Sequence, residues 1–589
     1  MRAAVTAGRA GRRGARRLVH CLALLISLSC AAPAFAAAQA QGGEPPRFAR
    51  LAGGEPPRFA RLAGGEARLY RLGGGGESAP APLPAGLRTP LGSVWKLFVY
   101  SYLVGRDQRT EDYTCRGGDP EEVYCCTAGQ GIDREHALVR SCGRYFEPRR
   151  LGLSGADWRR FWQDAGAPAW LQDMQAMRPE HAVPVAELLA ALHAVPPAAQ
   201  QAASATLVSV LTVGRGEGTL ADYGSLLRAK TWTMPDPARP GASIGGAAGW
   251  LADGSPAWLG GQGASASVLR RAAPLLRPLL AAVPVPDDGA CVLVDLFERY
   301  PLRDVRGADG KAAPAGPLDG SFRAEFANGN SARVASRGEL SLLRPAGAAP
   351  RVVGRFGLND YVARVVEREG DTAEPEAARA LAVAARSYLV QQAAREQGCF
   401  RIADSSRTQR VLPRPAGAAA RRAADQTDAL VLSGVAVRYH HDAGGQGRMA
   451  WTEARRAAAQ GQAFDAILAR WWPQATLTSF QSPVAGDCLA VAGARQWLAQ
   501  RAPQWQRRLG AEPGFEAPPL PAVCEVREGR PYADARRNRL YIHRLASEDD
   551  RIALAHEYLH LAFARHPRGQ DESFVESLAR RLVRTEDPS

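Results

Sequence analysis

The N-terminus constrains this 589-residue chain most, because it decides the compartment in which the rest folds. Arg9, Arg12, Arg13, Arg16 and Arg17 form a basic patch, and Leu18 to Cys30 is an apolar run too short to span a bilayer. Ala34-Phe35-Ala36 then gives the small-x-small pattern of a cleavage site. This reads as an export signal removed near Ala36. Lipid attachment at Cys30 is the weaker alternative, since Ser27 fits the start of such a box poorly. No later stretch reaches about 18 uninterrupted apolar residues. The mature chain is therefore expected to be periplasmic or secreted, at most peripheral to the envelope. Eight of the ten cysteines follow the signal, and in an oxidising compartment they are expected to form disulfides. The favoured pairs are Cys488 with Cys524, and Cys115 with Cys125 or Cys126.

Length and punctuation divide the remainder. Residues 37–87 hold an eleven-residue unit twice in tandem, Gly43 to Gly53 and Gly54 to Gly64, and its Gly, Pro and Arg content reads as a linker. Residues 88–285 are patterned as amphipathic helices followed by a Gly-rich stretch. Residues 288–482 begin with strand-like sequence at Cys291 to Phe297 and at Phe322 to Phe326 before an Asn-Gly-Asn turn, and continue into a helix from about Glu374 to Glu396. Residues 485–589 are mostly helical, with a strand at Leu540 to His543. The expected class is multidomain α+β. The net charge of +15 suits an anionic surrounding such as a wall polymer. No concentrated basic tract with interleaved aromatics appears, which argues against nucleic acid.

His556-Glu557-Tyr558-Leu559-His560 lies in an apolar helical run. Residues four apart share a helix face, so both imidazoles can reach one Zn2+ while Glu557 serves as general base toward a bound water. Glu576, in Glu576-Ser577-Leu578-Ala579, is the expected third ligand, with Glu572 one turn earlier as the alternative and His566 as a further candidate. The segment from Arg537 to Val583 resembles the gluzincin-type metallopeptidases, which implies a small, mostly helical zincin-like domain.

Of 74 Lys plus Arg, only Lys96, Lys230 and Lys311 are lysine. Chemically, a buried ammonium can lose its proton whereas a guanidinium cannot. Lys96 stands three residues after Ser93, so on a helix the amine can activate the hydroxyl. Lys230 opens Lys230-Thr231-Trp232-Thr233. With Ser141-Cys142-Gly143 between them, these segments resemble the penicillin-binding proteins and serine β-lactamases, whose motifs are Ser-x-x-Lys, Ser-x-Asn and Lys-Thr-Gly. The resemblance implies Ser93 as nucleophile, Lys96 as its base and Ser141 as a proton relay. Lys230, Thr231 and Thr233 would hold a substrate carboxylate. Gly143 replaces the family's Asn, and Trp232 replaces its Gly.

Leu358-Asn-Asp-Tyr361 leads to Glu367-Arg-Glu369, then to Glu376 and on to Arg386-Ser387-Tyr388. With Asp404-Ser405-Ser406, Thr408-Gln409-Arg410-Val411 and the Tyr439 to Gly445 segment, this resembles SpoIID, a family of peptidoglycan lytic transglycosylases. The resemblance implies Glu369 as the catalytic acid and Arg386 and Tyr388 as substrate-binding residues. Leu381 stands in place of the family's usual Gln. Taken whole, the chain resembles a family of secreted bacterial proteins, some encoded beside bacterial α2-macroglobulins. The expected substrates are peptidoglycan or an envelope protein.

Overall fold

A computed structural model of the chain describes residues 56–585 apart from 73–79, 123–124, 127, 130, 212–217, 287–289, 434, 443, 446, 474, 482–490, 492, 526–530 and 536–537. The export signal, the first copy of the repeat and Cys488 lie outside them.

The second copy of the repeat is a strand, not a linker. Arg58–Ala63 forms β1, and Glu66–Arg71 forms β2, paired from Arg58↔Arg71 to Ala63↔Glu66. The hairpin turns on Gly64 and Gly65, at φ +58° and +82°. A two-residue hairpin loop of this kind needs two residues that tolerate positive φ, which the Gly-Gly of the repeat supplies. Ala81–Pro82 (β3), Leu227–Pro235 (β4), Ser243–Leu251 (β5) and Pro256–Gln262 (β6) complete a six-stranded sheet in the order β3-β2-β1-β6-β5-β4. Alternation puts Phe59 into one core and Ala60 into the other, while Arg61 donates to Ser255 and pairs with Asp253. Phe59 is 2% exposed, so Phe59→Ala is expected to destabilise the protein by about 3–5 kcal/mol in chemical denaturation. An unchanged midpoint would return this segment to a linker.

Helices α1 (Trp95–Gly105) and α2 (Arg134–Arg140) belong to the helical layer on one face of this sheet, and α3 (Ser265–Ala281) covers the other. Two disulfides staple the loop between α1 and α2. Cys115 pairs with Cys126, one of its two expected partners, but Cys125 pairs with Cys142.

The middle of the chain is a seven-stranded sheet. Its strands are β7 (Cys291–Leu296), β8 (Leu302–Gly307), β9 (Gly316–Phe326), β10 (Ser331–Leu343), β11 (Arg351–Gly357), β12 (Ala394–Glu396) and β13 (Cys399–Ala403), in the order β8-β9-β10-β11-β7-β13-β12. Cys291–Cys399 joins the parallel neighbours β7 and β13. Against the sheet lie α4 (Leu358–Glu369) and α5 (Pro375–Gln392). Twelve of the eighteen residues of α5 are buried, which explains its run of small and aliphatic residues.

The expected division at 285–288 coincides with no break in packing. One apolar core runs from Leu227 and Leu276 to Val292 and Leu381. Arg228 on β4 forms a buried ion pair with Asp428, and Ser225 N donates to Gln426 O at 3.1 Å. The C-terminal part has its own core. It comprises α6 (Ala494–Leu509), a three-stranded sheet β14 (Ala522–Glu525), β15 (Tyr532–Asp534) and β16 (Arg539–Ile542), and helices α7 (Glu548–Ala562) and α8 (Glu572–Arg584). A capping box of Ser547 and Asp550 starts α7. Cys524 is disulfide-bonded; its expected partner, Cys488, lies outside the described residues.

Candidate functional site

Three clusters of polar side chains stand on this frame. The first surrounds Glu369, the last residue of α4. Gly370 follows the end of α4 and packs closely on α5, where a Cβ would lie 2.7 Å from the Leu381 side chain. Glu369 Oε1 accepts from Arg410 N at 2.8 Å, and Oε2 accepts from Tyr439 OH at 2.5 Å. Behind them, Gln409 Nε2 donates to the Tyr439 oxygen at 2.8 Å, and Tyr361 OH donates to Gln409 Oε1 at 2.6 Å. Burial raises the Glu369 carboxyl to about 7, against the pull of the Tyr439 and Arg410 hydrogen bonds. Asp404 adds its charge, but its two oxygens accept from Val411 N and Phe297 N and brace the loop.

Tyr388 is half-buried and sets its ring edge-on to Tyr439, 6.3 Å between centroids. Arg386 corrects the expectation placed on it. It is fully buried and donates to Thr427 O, Leu430 O, Ala424 O and Asn359 Oδ1, so it ties α5 to residues 424–430 and to α4. Arg386→Met is expected to cost about 3 kcal/mol or more of stability by orphaning these acceptors. A variant that keeps the wild-type midpoint in chemical denaturation would refute this structural role.

The second cluster lies between α7 and α8. His556 Nε2 and His560 Nε2 face each other at 3.0 Å, and Glu572 reaches them at 3.2 and 3.6 Å. One donor atom from each of these three residues lies within 4.8 Å of the others. The opposite imidazole nitrogens are held from behind, Nδ1 of His556 by Glu576 at 3.0 Å and Nδ1 of His560 by Gly569 O at 2.8 Å. Glu576, the expected ligand, thus sits on the far side of His556, and Glu572, the alternative, is the carboxyl nearest the two Nε2 atoms. His566 instead caps the turn before α8, accepting from Arg568 N, with Gly514 packed on its ring. Glu557 is 5% exposed, and burial together with Glu572 raises its carboxyl to about 7.

The third cluster joins α1, the end of α2 and β4. Lys96 Nζ donates to Ser141 O at 2.8 Å, and lies 3.3 Å from Ser141 Oγ and 3.5 Å from Ser93 Oγ. Ser141 adopts φ +62°, a costly conformation for serine that turns its carbonyl toward the amine. Lys230 and Thr231 are buried in β4. Thr233 is exposed, and its Oγ1 accepts from Ser265 N at the start of α3. Sequence reasoning missed Tyr439 and Gln409 as parts of the Glu369 site, although both lay in segments that carried the resemblance, and it missed Glu121 packed against Gly143.

Comparison with known proteins places these clusters in a family context. Residues 117–241 and 447–568 match the family described as a predicted secreted protein (DUF2300), and residues 348–433 match the family described as stage II sporulation protein (SpoIID). The uncharacterized protein YfaQ of Escherichia coli (strain K12) is 42% identical over 502 residues, which cover 85% of this chain and 91% of that one. Among solved structures, a class A β-lactamase of the last common ancestor of Gram-negative bacteria matches at 16% identity and a TM-score of 0.26, covering 39% of this chain and 94% of its own. The β-lactamase from Streptomyces albus G matches at 14% identity and a TM-score of 0.25, covering 38% and 92%. The description as secreted agrees with the expected export. Among the described residues no helix is long and apolar enough to cross a membrane.

Proposed function

Since the chain belongs to the family of Escherichia coli YfaQ and carries a SpoIID segment with a protected carboxyl at Glu369, we propose that it is an exported envelope enzyme that cleaves peptidoglycan glycan strands as a lytic transglycosylase. The observation that carries this reading is the state of Glu369. Burial keeps its carboxyl protonated up to near neutrality, while Tyr439 and Arg410 N fix its direction. Such a group can donate its proton to the glycosidic oxygen as the C–O bond breaks. The carboxylate so formed can then take the proton of the sugar hydroxyl that closes an anhydro ring. One carboxyl serves both steps and no water is consumed, unlike the two-carboxylate hydrolases. Asp404, the neighbouring carboxyl, braces the loop through Val411 N and Phe297 N. Digestion of purified sacculi is expected to release fragments with anhydro ends; fragments with reducing ends would refute the reading.

The convergence of two imidazole Nε2 atoms and Glu572 favours a second, independent reading, a zinc-dependent peptidase acting on a wall peptide or an envelope protein. The donor set fits the ion: two imidazoles and a carboxylate leave a fourth position open, and both imidazoles have the outer partners that orient metal ligands. When bound, Zn2+ would acidify a water molecule. His556, His560 and Glu572 would hold it, Glu576 would orient His556, and Glu557 would accept the proton of the attacking water.

A further inference from the structure

Gln409 and Val411 are buried, and Arg410 between them is exposed. The two ends of Arg410 therefore have separate surroundings. Its backbone N–H gives Glu369 Oε1 a hydrogen bond at 2.8 Å. Its guanidinium stands at the surface, and among the described residues no carboxylate pairs with it. Other arginines around α4 are committed: Arg414 to Glu367 at 3.0 Å, Arg364 to Glu339 at 2.8 Å and to Asp360 at 3.0 Å, and Arg455 to Asp371 at 3.2 Å. The carboxyls nearest Arg410 in the site are held elsewhere. Glu369 accepts from Tyr439 and from the Arg410 amide, and Asp404 accepts from Val411 N and Phe297 N.

A spare guanidinium beside an acid that must hold its proton works against the free site. A positive charge there favours the carboxylate, and Arg410 pulls both Glu369 and Asp404 downward. The other titratable groups facing Glu369 are Asp404 from the loop, Tyr388 from α5, Tyr439, and Tyr361 on α4 itself. Arg368, its neighbour on α4, bears on Asp404. An anion brought in by the substrate would relieve the conflict and be held close to the proton donor.

We propose that the Arg410 guanidinium binds a carboxylate of the glycan substrate next to the scissile bond, so that the Glu369 cleft takes an acidic amino-sugar polymer in preference to a neutral one. The proposal rests on reading Glu369 as the acid of a glycan-cleaving site. Wall strands present carboxylates from two sources: the stem peptides and, once these are removed, the lactyl arm of the sugar itself. A guanidinium meets either one in a two-pronged hydrogen bond. Binding also acts on the chemistry. A bound carboxylate cancels the Arg410 charge, so Glu369 keeps its proton to higher pH in the complex than in the free protein.

The test uses the full mature chain and purified glycan strands in three forms: with peptides, stripped of peptides by an amidase, and stripped with the carboxyls then converted to amides. Wild-type KM is expected to be roughly 10-fold higher on the amidated strands than on the form that carries the recognised carboxylate. Arg410→Gln, which keeps the N–H to Glu369, should raise KM by the same factor on that form and leave the amidated strands unchanged. Arg410→Lys should recover part of the loss. Whichever charged form responds to Arg410→Gln identifies the source of the carboxylate. In wild type the alkaline limb of kcat should lie roughly half a unit above that of kcat/KM on charged strands, and the two should coincide in Arg410→Gln. Equal KM on charged and amidated strands in wild type, or the same loss on both in Arg410→Gln, overturns the role of Arg410 and leaves the Glu369 reading standing. Coincident limbs in wild type overturn its effect on the Glu369 proton. Strand binding that needs both Arg410 and the carboxylate, in a wild-type protein that releases no anhydro ends, upholds the carboxylate site and removes the cleavage reading alone.

Discussion

Glu369→Gln should lower the release of anhydro-ended fragments from sacculi by roughly 10³-fold, the scale of losing a general acid–base group. The amide keeps the shape of the side chain and can still meet Arg410 N and Tyr439, so the protein should fold and bind wall as before. Wild-type turnover should fall as pH rises through about 7, where the acid form is lost. Stability supplies an independent check on the same carboxyl. Its folded pKa is raised, whereas in the unfolded chain the group ionises at its ordinary, lower value. The folded state is therefore penalised progressively as pH climbs from the ordinary carboxyl range through about 7, and not below it. Glu369→Gln should raise the thermal midpoint at pH 8 and change it little at pH 4. Full wall-clearing activity in the variant would remove the assignment.

The proposed zinc site should separate cleanly into ligands, base and outer partner. His556→Ala, His560→Ala and Glu572→Ala are each expected to abolish bound zinc, read as metal content per chain. Glu557→Gln should keep the metal and lose hydrolysis of a wall peptide or envelope protein. Glu576→Ala should retain binding at an affinity about 10–100-fold weaker, because it removes only the group that orients His556. If Glu576 were the ligand instead, the two glutamate variants would exchange phenotypes. Chelation should leave glycan cleavage untouched, since the Glu369 cluster lies in the middle sheet domain and shares no residue with the histidine pair. Wild-type protein without zinc would end the second reading.

Much of this was legible in the residues, for reasons that also explain the exceptions. The i, i+4 histidines, the Ser93–Lys96 step and the strand at Cys291 are local patterns, and local geometry delivers them. Glu572 and Glu576 are one turn apart on the same helix face, so periodicity cannot rank them. The choice depends on how α8 packs against α7. Arg386 was misread because α5 is buried around most of its circumference, and an arginine inside a small-residue helix looks the same in sequence whether it faces a cleft or a ring of carbonyls. Glu121 and Gly143 meet only through the disulfide-held loop, and a glycine at a motif position reads as a loss until the residue filling its space is known. The strand β1 was hidden by composition. Three of its six residues, Arg58, Arg61 and Leu62, are only half-buried, and the two that reach a core fully, Phe59 and Ala60, are too few to register as a hydrophobic run.

That last strand changes what the duplication at the N-terminus means. Gly43 to Gly53 and Gly54 to Gly64 are letter for letter the same, so excising either one leaves an identical protein. The surviving unit still runs into Gly65 and Glu66, with the same aromatic and the same glycine pair at the bend. Slippage of the underlying repeat by one unit is therefore invisible to the sheet, whereas loss of both units removes a strand from its interior. One copy is thus enough to write β1, and only the loss of both deletes its sequence.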